Sequence, residues 1–263
     1  MEEQNSSEWQ APPPPEKIEA NEQAEMSEPA TLGNIFFEPG RTFEDLRRRP
    51  RFVLATLIMI VIVSAFNAFF ISKVGFENIV RQKMESNSRV QQLPADQRDQ
   101  LIRQQTGAVW KGISYAAPPI VVIAIVFLGG LIYWGASSAF GGSSAYLQNV
   151  SVWVYSSLPP LVVSMLANIV ILFFKSVDDI DLATSQSGLL HANPSMFIDG
   201  KAQPVLSAVL STFDLFSIWG WILAAIGLRV VCKLSSGGAW AIVLLLALIS
   251  LLVRVAFAAF VGG

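Results

Sequence analysis

The sequence has a single cysteine, Cys232, and a single histidine, His191, among its 263 residues. One cysteine cannot form a disulfide within the chain or a cysteine metal cluster, and the two residues together are too few for the usual Cys/His catalytic and transition-metal sites. The sequence therefore predicts no metal, no cofactor and no catalytic residue, and it favours a protein that is not an enzyme. An enzyme would need an aspartate-based or metal-assisted site in the loop after Lys175, and it is the least favoured interpretation.

Charged residues are scarce and unevenly placed. They make up 14% of the chain, against 52% apolar residues, whereas a soluble domain has about 25% charged residues. Eleven of the twenty acidic residues precede residue 46, and most of the others lie in two later loops. The net charge of −2 therefore reflects the separation of charged segments, and it gives no reason to expect a nucleic acid partner.

Long apolar segments fill most of the remaining sequence. The five predicted spans are 52–72, 118–140, 152–174, 205–228 and 239–261. At about 1.5 Å per residue, each is long enough to cross a hydrocarbon core of about 30 Å. The sequence predicts an all-α membrane protein with a five-span transmembrane helix bundle over 52–261. Because the first thirty residues lack the apolar core of a secretory signal, we expect the first span to direct insertion.

Two segments precede the first span. Residues 1–33 are acidic and rich in Pro, Gln and Ser, and are predicted to be a disordered cytoplasmic tail. The tail is either a solubilising extension or an arm that a partner recognises through its polyproline run. Residues 34–51 are predicted to form an interfacial amphipathic helix, with Phe43 and Leu46 on its apolar side. The alternative for this segment is a polar juxtamembrane turn with no lipid role.

The interfacial segment contains a candidate lipid-facing basic element. Its members are Arg41, Arg47, Arg48, Arg49 and Arg51. Positive residues beside a first span favour a cytoplasmic N-terminus, and five crossings then place the C-terminus outside. The loop 73–115 also has several Lys and Arg residues, but it is long and contains acids as well, which reduces its weight in this rule.

The two long loops have different patterns. In the exported loop 73–115, apolar residues recur at helical spacing from Phe76 and again after Pro94, which predicts two amphipathic helices that form a small cap. The alternative is that the flanking spans extend beyond the membrane. The later loop begins with Asp178, Asp179 and Asp181. Because no Asp-x-Asp-x-Asp-Gly spacing follows, a solvated loop is favoured there over a cation site.

Asp214 and Arg254 are the ionisable residues deep inside the predicted spans. A charge in the bilayer centre costs at least about 2.5–3.5 kcal/mol without compensation. Since the two residues fall at similar depths on neighbouring antiparallel spans, they form a candidate intramembrane polar pair. The pair would either fix the register of two helices or line a path for ions or lipid headgroups. As a third alternative, Arg254 extends outward to the interface.

Two proline pairs also lie in the apolar segments. Pro118 and Pro119 are expected at the start of the second span, where proline is tolerated. Pro159 and Pro160 fall inside the third span and form a candidate helix break. Polar residues expected to bond between helices are Asn67, Asn168, Ser211, Thr212 and Ser217.

Several short motifs add a family resemblance. They are Phe37-Glu38-Pro39 with Phe43, Leu46 and Pro50, then Val154-Tyr155-Ser156-Ser157 with Pro159-Pro160, the run from Lys175 to Asp181, and Asn193-Pro194. With these motifs the chain resembles the YIP family (Ypt/Rab-interacting proteins), specifically its bacterial branch, over residues 34–261. The resemblance implies a five-span layout in the bacterial cytoplasmic (inner) membrane, with the N-terminus inside.

Eukaryotic members of the YIP family are associated with Rab-type GTPases, vesicle traffic and Golgi organisation. This chain lacks their longer acidic-hydrophobic cytoplasmic region, so that role is not transferred, and the resemblance brings no catalytic residues. The first functional hypothesis is a non-enzymatic membrane protein that organises protein partners or lipids. The alternative is a transporter or lipid-translocating protein with a polar site at Asp214 and Arg254. The expected partners are membrane lipids, with other membrane proteins or a second copy of the chain as further candidates.

Overall fold

The computed structural model describes residues 25–85, 87–177, 180, 189–190, 192–200 and 202–261. Every regular element in these residues is helical. The α-helices are α1 (Glu28–Asn34), α2 (Pro39–Arg48), α3 (Val53–Val74), α4 (Phe76–Glu85), α5 (Ser88–Gln91), α6 (Ala95–Gln105), α7 (Ala108–Ala139), α8 (Tyr146–Phe174), α9 (Pro204–Thr212), α10 (Leu215–Val231) and α11 (Ser236–Val261). A short 3-10 helix covers Pro194–Phe197.

The long helices confirm the prediction of an all-α membrane bundle. Four of them, α3, α7, α8 and α11, are long and apolar enough to cross a membrane. The bent pair α9–α10 provides a fifth crossing if it is counted as one span. We call the end of the bundle where α2 and the α7–α8 and α10–α11 turns lie the N-terminal side. The opposite end, with α4 to α6 and the loop between α8 and α9, is the far side.

The far-side segment between α3 and α7 is largely helical, as its apolar spacing predicts. α4 and α6 pack together beyond the ends of the spans. Gly75 allows the sharp turn from α3 into α4, because its φ of +88° lies in a region that favours glycine. The amide of Gly75 also donates to the carbonyl of Ile71 at 2.9 Å and so closes the last turn of α3.

The second span begins ten residues earlier than predicted. α7 starts at Ala108, so Pro118 and Pro119 lie inside the helix and not at its first turn. Proline has no N–H, and Pro118 therefore leaves the carbonyl of Ser114 without its helical donor. Asn67 of α3 supplies a replacement, since its Nδ2 donates to that carbonyl at 3.0 Å. This bond between α3 and α7 offsets the helical bond that is lost at Pro118.

The tightest packing lies on the N-terminal side. Val150, Val152, Val154, Leu228 and Ile242 are all fully buried there, at 0% exposure. Gly227 permits this packing: a Cβ at this position would lie 2.9 Å from the ring of Phe43 and 2.7 Å from Val152. A larger residue at 227 would therefore separate α10 from α2 and α8.

A buried polar cluster joins two turns at the N-terminal side. The side chain of Asn149 accepts hydrogen bonds from Ser137 at 3.3 Å and from the thiol of Cys232 at 3.2 Å, and it donates to Ser144 at 2.8 Å. The amide of Ser143 donates to the carbonyl of Cys232 at 3.1 Å. These bonds hold the α7–α8 turn against the C-terminal end of α10. Burial raises the pKa of the Cys232 thiol.

Candidate functional site

The fourth span is broken at a place without proline. α9 ends at Thr212, α10 begins at Leu215, and the two helices meet at a bend of 44°. The hydroxyl groups of Ser211 and Thr212 both donate to the carbonyl of Ala208 at 3.0 Å. Such bonds compete with regular helical hydrogen bonding and favour a bend. These two residues therefore bond within α9 and not between helices as the sequence predicted.

Asp214 caps the second half of this span. Its Oδ1 accepts from the amide of Phe216 at 3.0 Å and from that of Ser217 at 3.4 Å. Its Oδ2 accepts from Nδ2 of Asn193 at 3.3 Å. The sequence placed Asp214 in the middle of a continuous helix, and the structure corrects this: the carboxylate lies at a helix N-terminus, where free amides and the helix dipole stabilise a negative charge.

The described part of the loop before α9 is tied to α8 and α10. Asn168 of α8 accepts from the amides of Leu189 at 2.6 Å and Leu190 at 2.8 Å. Asn193 accepts from the amide of Ser195 at 3.1 Å. Asn168 therefore orders a loop and does not join two helices. The loop forms one wall beside the helix break.

A cavity of about 840 Å³ lies between this loop, α8, α9, α10 and α11. We call it the far-side cavity. Its polar lining consists of Ser164, Asn168, Asn193, Ser195, Ser207, Ser211, Asp214, Ser217 and Arg254. Apolar residues such as Met165 and Phe216 complete the walls. Among the described lining residues, the cavity thus combines one cation, one anion and several neutral hydrogen-bonding groups.

The two intramembrane charges lie at similar depth. From the 1.5 Å rise per residue, Arg254 lies about 27 Å along α11 from its first residue and Asp214 about 26 Å from the last residue of α10. Both side chains line the far-side cavity. Among the ion pairs of the described residues, however, none joins Asp214 to Arg254. The structure brings the predicted pair to one cavity without the bridge that would fix the helix register.

A second, smaller cavity of about 260 Å³ lies deeper in the bundle. We call it the mid-span cavity. Most of its surface is apolar, and the largest side chains are Tyr133, Trp153 and Trp221. Hydroxyl groups also line it, from Ser156, Ser157, Thr212, Ser217 and Ser250. Ser217 and Arg254 line both cavities, so the two spaces meet at these side chains.

The helix break predicted at Pro159 and Pro160 is absent, because α8 runs from Tyr146 to Phe174 with both prolines inside it. The prolines are buried, and the neighbouring helix fits closely against them. A Cβ on Gly220 of α10 would lie 3.7 Å from Pro160 and from the carbonyl of Ser156, the group that loses its helical donor to Pro160. Contact with α10 thus accommodates the prolines, and the bend lies in the fourth span instead.

The predicted lipid-facing basic element is largely engaged within the protein. Arg51 is buried in an ion pair with Asp45, and its Nη1 donates to the carbonyl of Met26 at 2.6 Å. Oδ1 of Asp45 also accepts from the amides of Glu25 at 2.6 Å and Met26 at 3.2 Å. Asp45 and Arg51 therefore hold the chain that precedes α1 against α2. Placing Arg51 at the lipid surface was wrong, since its guanidinium faces the interior.

The rest of the segment also differs from a helix lying on lipid. Phe43 and Leu46, predicted to face lipid, are fully buried in the bundle core. Arg48 and Arg41 approach the carboxylate of Glu25, at 2.7 and 4.0 Å. The hydrogen bond that Arg48 donates to the carboxylate of Glu25 raises the pKa of the Arg48 guanidinium. α2 is thus a packed part of the fold. The remaining arginines of the basic element are Arg47, which is half-buried, and Arg49, which is exposed.

Two further sequence predictions concern residues that the structure covers in part or not at all. The predicted tail 1–33 is described only from residue 25 onward, and its last residues form α1, which Ser27 caps through the amide of Ala30 at 3.3 Å. Asp178, Asp179 and Asp181 lie outside the described residues. Within the described part of the chain, no group of three or more His, Cys, Asp or Glu side chains could hold a metal ion.

Comparisons with known proteins agree with this architecture. The family model of the Yip1 domain matches residues 33–258, which include α2 and both cavities. The chain belongs to the Yip1 domain family. It is also similar to the curated "Membrane protein YknW" of Bacillus subtilis (strain 168), with 28% identity over 223 residues, 85% of this chain and 87% of that protein. No solved structure matches the chain. The resemblance stated from the sequence motifs is confirmed, and the protein is a Yip1-family membrane protein.

Proposed function

We propose that this Yip1-family protein is a non-enzymatic membrane protein that organises lipids by holding one phospholipid at the far-side cavity. The observation that supports this function is the cavity of about 840 Å³ in which Arg254 and Asp214 both take part without pairing. A site with two separate opposite charges suits a ligand that also has two. The headgroup of a zwitterionic phospholipid has this charge pattern.

The cation supports binding of the phosphate group. Arg254 lies seven residues before the end of α11 and is exposed, so its guanidinium group is accessible to a ligand near the bilayer surface. A guanidinium group binds phosphate through two parallel hydrogen bonds, which is the strongest of the usual charge-assisted arrangements. A lipid phosphate at this position would compensate the charge of Arg254.

The anion supports selection of an ammonium group. Oδ1 of Asp214 accepts two backbone amides, whereas Oδ2 has one bond of 3.3 Å to Asn193. Because each carboxylate oxygen accepts about two hydrogen bonds, Oδ2 can accept another donor. The ammonium of a phosphoethanolamine headgroup is such a donor, and it would lie at the same level as a phosphate bound to Arg254.

The surface around the cavity allows a lipid to enter from the bilayer. Leu252, Val253 and Phe257 on α11 are exposed by 58%, 64% and 67%. In a membrane protein such apolar surface faces hydrocarbon. Arg254 therefore lies beside lipid-facing residues, and a phospholipid can reach the cavity by lateral diffusion.

The packing on the N-terminal side favours holding a lipid over moving it across the membrane. The fully buried layer there includes Val150, Val152, Val154, Leu228 and Ile242. A polar headgroup would have to cross this apolar layer to reach the opposite leaflet, at a high desolvation cost. Translocation is accordingly the second candidate function, and a flux assay with labelled lipid in vesicles distinguishes it from holding.

The orientation belongs to the same proposal. The arginines near α3 favour an N-terminal side in the cytoplasm. In that orientation the far-side cavity would lie in the outer leaflet of the bacterial inner membrane. Organisation of protein partners or pairing with a second copy is also compatible with a lipid-binding bundle.

The test is native mass spectrometry of the purified full-length protein with lipid identification. We expect one phosphoethanolamine lipid bound per chain in the wild-type protein. Arg254→Gln should lose bound phospholipid, because the phosphate partner is removed. Asp214→Asn should keep a phospholipid but lose its preference for the ammonium headgroup, since Asn preserves the helix cap.

Arg229→Gln is the matched control, because Arg229 lies at the opposite end of α10 and away from both cavities. This variant should bind lipid like the wild-type protein. Equal lipid binding by wild-type, Arg254→Gln and Asp214→Asn proteins would contradict the proposed function. Labelled lipid that crosses sealed vesicles at a rate dependent on Arg254 would replace holding with translocation.

A further inference from the structure

The two cavities lie one behind the other along the direction of the spans. On α8, which runs toward the far side, Trp153 and Ser157 of the mid-span cavity precede Ser164 and Asn168 of the far-side cavity. α8 alone therefore places the mid-span cavity nearer the middle of the bundle.

The other two helices give the same order. α10 runs away from the far side, and it contributes Asp214 to the far-side cavity before Gly220 to the mid-span cavity. α11 contributes Val243 and Ser250 to the mid-span cavity before it reaches Arg254, where the two cavities meet. From Arg254 to Val243, the mid-span cavity follows α11 for about 16 Å at the helical rise.

The chemistry of the walls changes along this path. The far-side cavity has charged, amide and hydroxyl groups among apolar residues such as Met165 and Phe216. The deeper cavity has more apolar walls, formed by residues such as Trp153, Trp221 and Leu246, with hydroxyl groups of serine and threonine between them and no charged group beyond Arg254 among its described lining residues. This order, polar near the bilayer surface and apolar toward the bilayer centre, is that of a phospholipid in its leaflet. Ser217 and Arg254 lie where the headgroup would give way to the chain.

We infer that the mid-span cavity holds part of one acyl chain of the phospholipid whose headgroup lies at Arg254 and Asp214. This inference rests on the proposed function and adds a second point of recognition, namely chain length. An apolar cavity of about 150 Å³ is enough to hold benzene, so the volume of about 260 Å³ admits an alkyl segment longer than that ring.

An aromatic pair closes the deep end of the cavity. The rings of Tyr133 and Trp153 meet edge to face, with centroids 4.9 Å apart. Trp153 is held in place because Gly129 of α7 leaves room for it: a Cβ on Gly129 would lie 2.1 Å from the indole. This pair limits how far an acyl chain can enter. Binding affinity should therefore rise with chain length until the chain reaches the aromatic pair, and further methylenes should add no affinity inside the cavity.

The experiment fills the mid-span cavity and leaves the headgroup site intact. Ala247 lines the cavity on α11, and Ala247→Phe places a ring in the path of the chain. Ala241→Phe is the matched control, since Ala241 is an exposed residue of the same helix outside both cavities. Each full-length variant is delipidated and titrated with short-chain and long-chain phosphatidylethanolamine, and binding is measured by native mass spectrometry.

Wild-type and Ala241→Phe proteins should bind the long-chain lipid at least about tenfold more tightly, because each buried methylene adds to affinity. The Ala247→Phe protein should bind both lipids with about equal affinity. Its affinity for the short-chain lipid should be the same as that of the wild-type protein. If Ala247→Phe does not fold, Ser250→Phe, at the same cavity, serves the same purpose. Ala247→Phe with the full long-chain preference would overturn the inference, as would a wild-type protein that binds both lipids equally. A wild-type protein that binds neither lipid would overturn the proposed function as well.

Discussion

The charged residues of this protein include some that stabilise the fold and others that line a cavity. Arg51 belongs to the first group, because it is paired with Asp45 and bonded to the carbonyl of Met26 in a buried position. Arg254 belongs to the second, because its side chain lines both cavities. The sequence grouped Arg51 with the surface arginines because they are neighbours in the chain. Arg51 and Asp45 instead hold the backbone of residues 25–26, which lies far from Arg51 in the sequence, so local spacing could not reveal this contact.

Replacing Arg51 tests the internal role of this arginine. Removing one partner of a buried ion pair leaves an uncompensated charge, which costs about 3–5 kcal/mol. Arg51→Gln should therefore lower the free energy of unfolding by about that amount, as measured by denaturant unfolding in detergent. Arg49→Gln, at an exposed position beside it, should have little effect. Similar stability of the two variants would show that Arg51 does not hold the chain before α1.

Cys232 provides a test of burial. Desolvation raises the pKa of its thiol, and the thiol donates to Asn149 at 3.2 Å. Little thiolate is therefore present at neutral pH, and only the thiolate reacts with maleimide. We expect no labelling of the folded protein and full labelling after denaturation. Ser235→Cys, at an exposed position three residues later, should be labelled at once. Labelling of wild-type Cys232 at that same rate would contradict the buried cluster.

At the scale of the elements, long apolar runs were enough to predict helices but not where a span bends. Pro159 and Pro160 suggested a break in α8, yet α10 packs against them and the helix continues. Similarly, Asn67 offsets the bond lost at Pro118. These compensations come from other helices, so local sequence cannot show them. The true break had a local signal in Ser211, Thr212 and Asp214, because hydroxyl back-bonding followed by an Asp cap favours a new helix start.

Asp214 has two roles: it caps α10 at the helix break and it lines the far-side cavity. Two substitutions separate these roles. Asp214→Ala removes the cap of α10 and should cost about 0.5–2 kcal/mol of stability. Asp214→Asn keeps an acceptor for the amides of Phe216 and Ser217 and should retain most of the stability. Thermal unfolding in detergent measures both. Equal losses in the two variants would mean that the charge of Asp214, and not its cap, stabilises the bend.

At the scale of the whole molecule, packing is uneven between the two sides of the membrane. The N-terminal side has a closed core in which Asn149, Leu228 and Ile242 are fully buried, whereas both cavities lie from mid-span to the far side. Sequence patterns identified the apolar spans and the two intramembrane charges that meet at the cavity. They did not identify the cavity itself, because its walls come from α8 to α11 and from a loop whose position depends on Asn168.

The orientation of the bundle can be tested with single introduced cysteines, provided that native Cys232 is unreactive. Gln92→Cys and Ser235→Cys lie at exposed positions on opposite sides of the spans. If the chain crosses five times with its N-terminus inside, an impermeant thiol reagent should label Gln92→Cys on intact cells and Ser235→Cys only in inverted vesicles. Labelling of both positions from one face would exclude an α9–α10 pair that spans the membrane as one crossing.

The most direct test of the central claim is a cryo-EM map of the full chain in nanodiscs that contain phosphatidylethanolamine, with a bound antibody fragment to aid alignment. The account predicts headgroup density between the guanidinium of Arg254 and the carboxylate of Asp214, and one acyl chain that runs past Ser250 toward Trp153. A map in which Arg254 and Asp214 contact each other directly, with no lipid density in the far-side cavity, would contradict it.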